Sequence, residues 1–162
     1  KRFKDSVIIT ADTLKNGNVM GLTNTAVRTE VLSGCSSAFS AGDLIAFDWY
    51  LWSSVLLNDN KASFTSETTT KYRVYGGNTA GLPQKLTEKN VIKGIEVKQQ
   101  YYNLMAHLDN SYVSLAKDFL DVSQKIEDKV WRMDYVAALI ENEIENHMWW
   151  ENIRPLSEVG IR

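Results

Sequence analysis

Cysteine and histidine are both scarce here, and their scarcity removes whole classes of chemistry. A single cysteine, Cys35, leaves no partner for an intrachain disulfide and no second thiolate for a zinc site. That fits a reducing compartment. Its setting, VLSGCSSAFSAG, brings no nearby histidine or basic group to activate a thiolate, so Cys35 reads as packing. With two histidines, His107 and His147, no three-histidine metal site can form in one subunit. Leu104 and Ile144, three residues before each, also exclude the Glu-x-x-His spacing of carboxylate-bridged metal bundles. No cofactor is expected.

Long apolar runs are missing as well. The longest, LIAFDWYLWSSVLL (44–57), is too short and too interrupted to span a bilayer, and KRFKDSVIIT at the start has no apolar stretch of signal-peptide length. The chain reads as soluble, with no membrane span. A formal charge of −2, with scattered basic residues, gives no footprint for nucleic acid, so none is expected as a partner. The glycines of GGNTAGLP (76–83) are not followed by a Walker lysine, and the sequence contains no G-x-S-x-G, H-E-x-x-H or calcium loop.

What is present is the composition of a folded domain: 162 residues, 44% hydrophobic and 23% charged. The expected organisation is one domain over 1–162, with a mixed N-terminal part (1–80) and a helical part (87–154). SVIIT (6–10) has the β-branched character of a short strand, and KNGN (15–18) reads as a turn. A short helix is expected over 23–33, ended by a left-handed Gly34, and another from a cap at Ser40–Asp43 to about Leu57, stopped by NDN (58–60). KASFTSETTTKYRVY (61–75) alternates like a β-hairpin, and GGNTAGLP is the clearest internal boundary. Beyond it, helices are expected at about 87–108, 111–121 and 123–152. The fold class is therefore mainly α: a helical bundle with a long C-terminal helix and a small inserted hairpin.

The C-terminal helix carries the strongest pattern. Ile126, Val130, Met133, Ala137, Ile140, Ile144 and His147 recur at alternating spacings of four and three, a heptad seam. Glu143, His147 and Glu151 lie four apart and can share one face, which makes them weak metal-ligand candidates. The competing reading makes His147 the next seam position, followed by Trp149, Trp150 and the stop at Pro155. Residues 139–151 hold Glu141, Glu143, Glu145 and Glu151 without a Lys or Arg. A solvated face tolerates that charge; the sharper reading is that a basic surface meets it, KRFK (1–4) of the same or a neighbouring chain, or another protein.

Asp48 projects into the apolar arc of Leu44, Leu51, Trp52 and Val55, where an unpaired carboxylate would be costly. A donor such as Arg28, Arg132, a Trp N–H or a Tyr hydroxyl is expected. Five tryptophans and seven tyrosines complete the picture. Tyr72, Tyr75, Tyr101, Tyr102, Trp149 and Trp150 are read as lying at edges and ends, and Tyr72, Tyr75, Trp149 and Trp150 join Glu141 and Glu145 as interface candidates.

The leading functional expectation is a non-enzymatic structural or assembly subunit of a homo- or hetero-oligomer. A virion or connector component is one concrete form, by analogy of layout alone. The alternative is a small helical-bundle enzyme, or a ligand or metal binder, with an internal pocket near Asp48 and His107. A regulatory binding module is a third, weaker reading.

Overall fold

The computed structural model describes residues 3–35, 42, 44–71, 86–144 and 149–161. The chain divides into two compact units, 1–79 and 80–162. The chain is mainly α, as expected, and its described residues include one small antiparallel sheet.

In the N-terminal unit the order is β1 (Ile8–Ile9), α1 (Ala11–Leu14), α2 (Thr29–Ser33), α3 (Phe47–Leu57) and β2 (Ala62–Ser63). β1 and β2 pair antiparallel, Ile8 opposite Ser63 and Ile9 opposite Ala62. Within 61–75 the described strand thus finds its partner at the start of the chain, and Tyr72 and Tyr75 lie outside the described residues. The pairing is extended by Asp5, whose carboxylate accepts from the backbone N–H and hydroxyl of Ser66. Those bonds hold its pKa below the usual carboxylate value.

α3 forms the centre of this unit. Every residue from Trp49 to Leu56 is buried, so the helix has no solvated side along that stretch. Ser54 is buried too and is satisfied within its own helix by donating to Tyr50 O at 2.8 Å. Trp49 Nε1 donates to Leu14 O at 2.7 Å, which fastens α1 onto α3. The helix ends where NDN predicted. Asn58 Nδ2 reaches Ser54 O at 3.1 Å and Asn60 Nδ2 reaches Val55 O at 3.0 Å, satisfying carbonyls of the last turn. Gly34 is right-handed (φ −75°), so the expected left-handed cap is not formed. The Ser40–Asp43 cap lies outside the described residues apart from Gly42.

The C-terminal unit contains α4 (Glu88–Leu108), a single 3₁₀ turn (Asn110–Tyr112), α5 (Val113–Lys125), α6 (Lys129–Glu141) and α7 (Leu156–Val159). Thr87 caps α4 by accepting from Asn90 N–H at 3.2 Å. At its far end, where the break after residue 108 is expected, Asp109 Oδ1 accepts from Ser111 N–H and turns the chain. α5 then folds back along α4. Tyr112 meets Tyr101 and Tyr102 edge-on or tilted, and two turns further Phe119 stacks on Tyr102 at 5.1 Å and lies beneath the Lys98 ammonium, one turn earlier on α4. Rising numbers on α5 meet falling numbers on α4, which is an antiparallel hairpin with an aromatic seam.

The expected long C-terminal helix does not form; the chain breaks on both sides of α6. Asp128 accepts from Val130 and Trp131 N–H at 2.8 and 2.9 Å, a cap that starts a new helix. Arg132 Nη1 meanwhile donates to Ile126 O at 2.7 Å and satisfies the end of the preceding one. At the other side Asn142 donates to Ala138 O through both backbone and side chain. Beyond it, Asn152 Oδ1 accepts from Ile144 N–H at 2.8 Å and Arg154 Nη2 donates to Asn142 O at 3.0 Å. Side-chain and tertiary partners thus satisfy backbone groups that would otherwise favour continuing the helix.

Residues 149–153 return to the body of the unit as a strap across α4. Trp149 and Ile153 are buried, and Ile153 seats directly on Gly94.

Candidate functional site

Breaking the helix at Asp128 and Asn142 fixes which side of α6 faces inward. Tyr135 and Leu139 are its fully buried residues. Tyr135 stacks on Trp131 at 5.1 Å and donates its hydroxyl to Arg154 O. Arg132 adds a 2.7 Å ion pair to Glu88 at the start of α4. The heptad seam is therefore turned outward. Ile126 is buried, but Val130 is 71% exposed, Met133 59%, Ile140 48% and Ile144 43%, with Ala137 exposed among them. Four of these, Val130, Met133, Ala137 and Ile140, form a continuous stripe along about 15 Å of helix.

Charge borders the stripe on one side. Asp134 and Glu141 follow Met133 and Ile140 at the heptad e position, and both are exposed, as are Glu127 and Glu143 beyond the helix ends. None of the four is in an ion pair among the described residues. The opposite border, heptad g, holds exposed Lys129 and half-buried Val136. An apolar stripe edged by charge is the geometry of a helix-on-helix contact.

A second polar feature lies inside the same unit. Lys98 is buried on α4, its ammonium donating to Ile153 O and standing 5.5 Å from the Phe119 ring centroid. Burial drives its pKa down to about 7, against the opposing pull of the Glu158 and Glu151 charges. Lys98 shares its buried face with Val91, Ile95, Tyr102 and Met105. That spacing was a readable sign of a lysine within an apolar arc, and sequence reasoning passed over it. Its hydrogen bond holds the C-terminal strap to α4, an architectural task.

Asp48 stands in the first turn of α3, half-buried. Its partners are the Trp49 backbone N–H, at 2.9 Å from Oδ1, and the Asn18 side chain. These replace the arginine, indole or phenol donors anticipated from sequence. Burial raises its pKa despite those bonds. His107 is exposed in the last turn of α4, in the other unit.

A cleft of about 350 Å³ in the N-terminal unit is lined by Glu30, Val31, Gly34, Cys35, Asn58 and Asn60. Among the described residues its lining contains no basic group, and Asn58 Nδ2 lies 3.8 Å from the buried Cys35 sulfur. Of the proposed metal ligands, Glu143 is exposed, Glu151 is buried and His147 lies outside the described residues. No group of three potential metal ligands comes together among the described residues. Of the interface candidates, Glu141 is exposed, Trp150 is half-buried and Trp149 is buried with its ring edge-on to Trp150, while Glu145 lies outside the described residues. Among the described residues, no helix is long and apolar enough to cross a membrane.

No family model, curated protein or solved structure matches the chain.

Proposed function

We propose that this chain is a non-enzymatic assembly subunit that joins other protein chains through the outer face of α6. The observation that carries the reading is the row Val130, Met133, Ala137 and Ile140, apolar and exposed at heptad spacing. Scattered surface hydrophobics need no explanation, but a periodic row on one helix face is the anchor pattern of helix recognition. The polar and titratable features of the C-terminal unit support the same reading. Lys98, Tyr135, Asn152 and Arg154 bind backbone groups of their own unit and hold its strap in place. A virion or connector component is one assembly of this kind, and the layout of helices with a small β element is what links it to the proposal.

The test is a photo-crosslinking residue placed at Met133 in the full chain, in its native host cells, with Lys117 on α5 as an exposed control. A discrete intermolecular product from position 133 and none from 117 is the expected result. Equal labelling at the two sites, or no product at 133, removes the reading.

A further inference from the structure

The occupant of the α6 stripe is a question of charge and shape, and it rests on the assembly reading above. We propose that the stripe receives a basic amphipathic helix from a different polypeptide. That helix places a large apolar side chain over Ala137 and Lys or Arg along the edge formed by Asp134 and Glu141.

Two copies of α6 make a poor pair in either direction. In an antiparallel pair, e positions face e positions, so Asp134 meets Asp134 or Glu141 of the other copy. Like charges placed opposite each other across a helix pair are unfavourable. In a parallel pair, g faces e. Lys129 then meets Asp134 favourably, but Val136 is set against the carboxylate of Glu141. The a positions also face their own copies, so Ala137 meets Ala137 and leaves the centre of a short contact underfilled. A foreign helix escapes both defects. The small side chain of Ala137, between exposed Met133 and Ile140, leaves a hole for one large knob.

The electrostatics favour cationic flanks. The outer face and its ends carry exposed Glu127, Asp128, Asp134, Glu141 and Glu143 against exposed Lys129. Asp128 is committed to capping α6, and the others are not in ion pairs among the described residues. Basic residues on the partner would meet carboxylates that no described residue pairs with.

The test uses two helical peptides of about three heptads with leucine at a and d, one with lysine and one with glutamate at e and g. A scrambled lysine peptide of identical composition controls for bulk attraction. Each is labelled and titrated against the full chain by fluorescence anisotropy. The lysine peptide is expected to bind about ten-fold more tightly than the glutamate peptide, from a few charge pairs gained in one and repelled in the other. Its binding should weaken with salt and exceed that of the scrambled control. In the variant carrying Asp134→Lys and Glu141→Lys the preference reverses, and in Met133→Asp binding of both peptides is lost. Equal binding of the two peptides, preference for the glutamate peptide, binding no better than the scrambled control, or no binding at all overturns the inference. The crosslink from position 133 separately decides the assembly reading. If it joins two copies of this chain, assembly stands and the foreign partner is refuted; if it joins 133 to the N-terminal unit of the same chain, both are refuted.

Discussion

Ile153 Cδ1 occupies the place where a side chain at position 94 would begin: a β-carbon built on Gly94 would lie 1.9 Å from it. The contact lets the C-terminal strap lie directly on α4, with the Trp149 ring beside it at 3.2 Å from the same point. Gly94→Ala should therefore destabilise the chain by about 1–3 kcal/mol, despite alanine's better helix propensity, because a packed core must shift. Adding Ile153→Val removes the clashing methyl and should recover part of the loss. Chemical denaturation of the parent and the two variants measures both effects, and a Gly94→Ala protein as stable as the parent would show that the strap does not sit there.

Lys98 predicts a pH dependence of definite sign. Its folded pKa, about 7, lies below its ordinary value of 10.5, so the fold penalises the protonated form. The penalty is complete below pH 7 and is relieved as pH rises toward 10.5, because the unfolded chain still holds the proton that the folded chain has lost. Stability should climb between pH 7 and 9 relative to Lys98→Met, with a slope of at most about 1.4 kcal/mol per pH unit. Above pH 10 the buried Tyr102 and Tyr135, whose pKa values burial raises, act in the opposite direction. Parallel denaturation curves for the two proteins across that window would contradict the burial of Lys98.

The carboxylate of Asp48 carries the same kind of penalty with the opposite pH dependence. Its folded pKa is raised by burial, so ionisation opposes folding at neutral pH and ceases to do so as pH falls through the folded pKa. Asp48→Asn keeps an acceptor for the Trp49 N–H and removes the charge. The variant should gain stability relative to the parent at pH 7, and the gain should shrink on acidification. A variant less stable at pH 7 would mean that the charge interacts more favourably with the start of α3 than its burial costs.

Opposite faces of α6 should respond differently to mutation. Met133→Asp, on the exposed stripe, is expected to change stability by no more than about 0.5 kcal/mol while abolishing association through that face. Leu139→Ala, on the buried face, should cost about 2–5 kcal/mol. Thermal unfolding together with the crosslinking assay separates the two. If Met133→Asp proved as damaging to the fold as Leu139→Ala, the stripe would be part of the core.

Much of this was written in the local sequence. The α4 boundaries follow from Thr87 and Asp109, and the end of α3 from Asn58 and Asn60, because side-chain oxygens and amides within a few residues satisfy the backbone groups at those helix ends. The heptad row and the acids set beside it at seven-residue intervals, Glu127, Asp134 and Glu141, were equally readable, since spacing on a helix depends on its own geometry alone. Which way that row would face was decided only in three dimensions. Arg154, Asn152 and Ile153 come from beyond the helix to take up Asn142, Ile144 and Gly94, and Lys98 is buried by the same strap. Hydrophobic periodicity specifies a face that prefers to leave water; the partners that bury one face and leave another exposed come from residues distant in the chain.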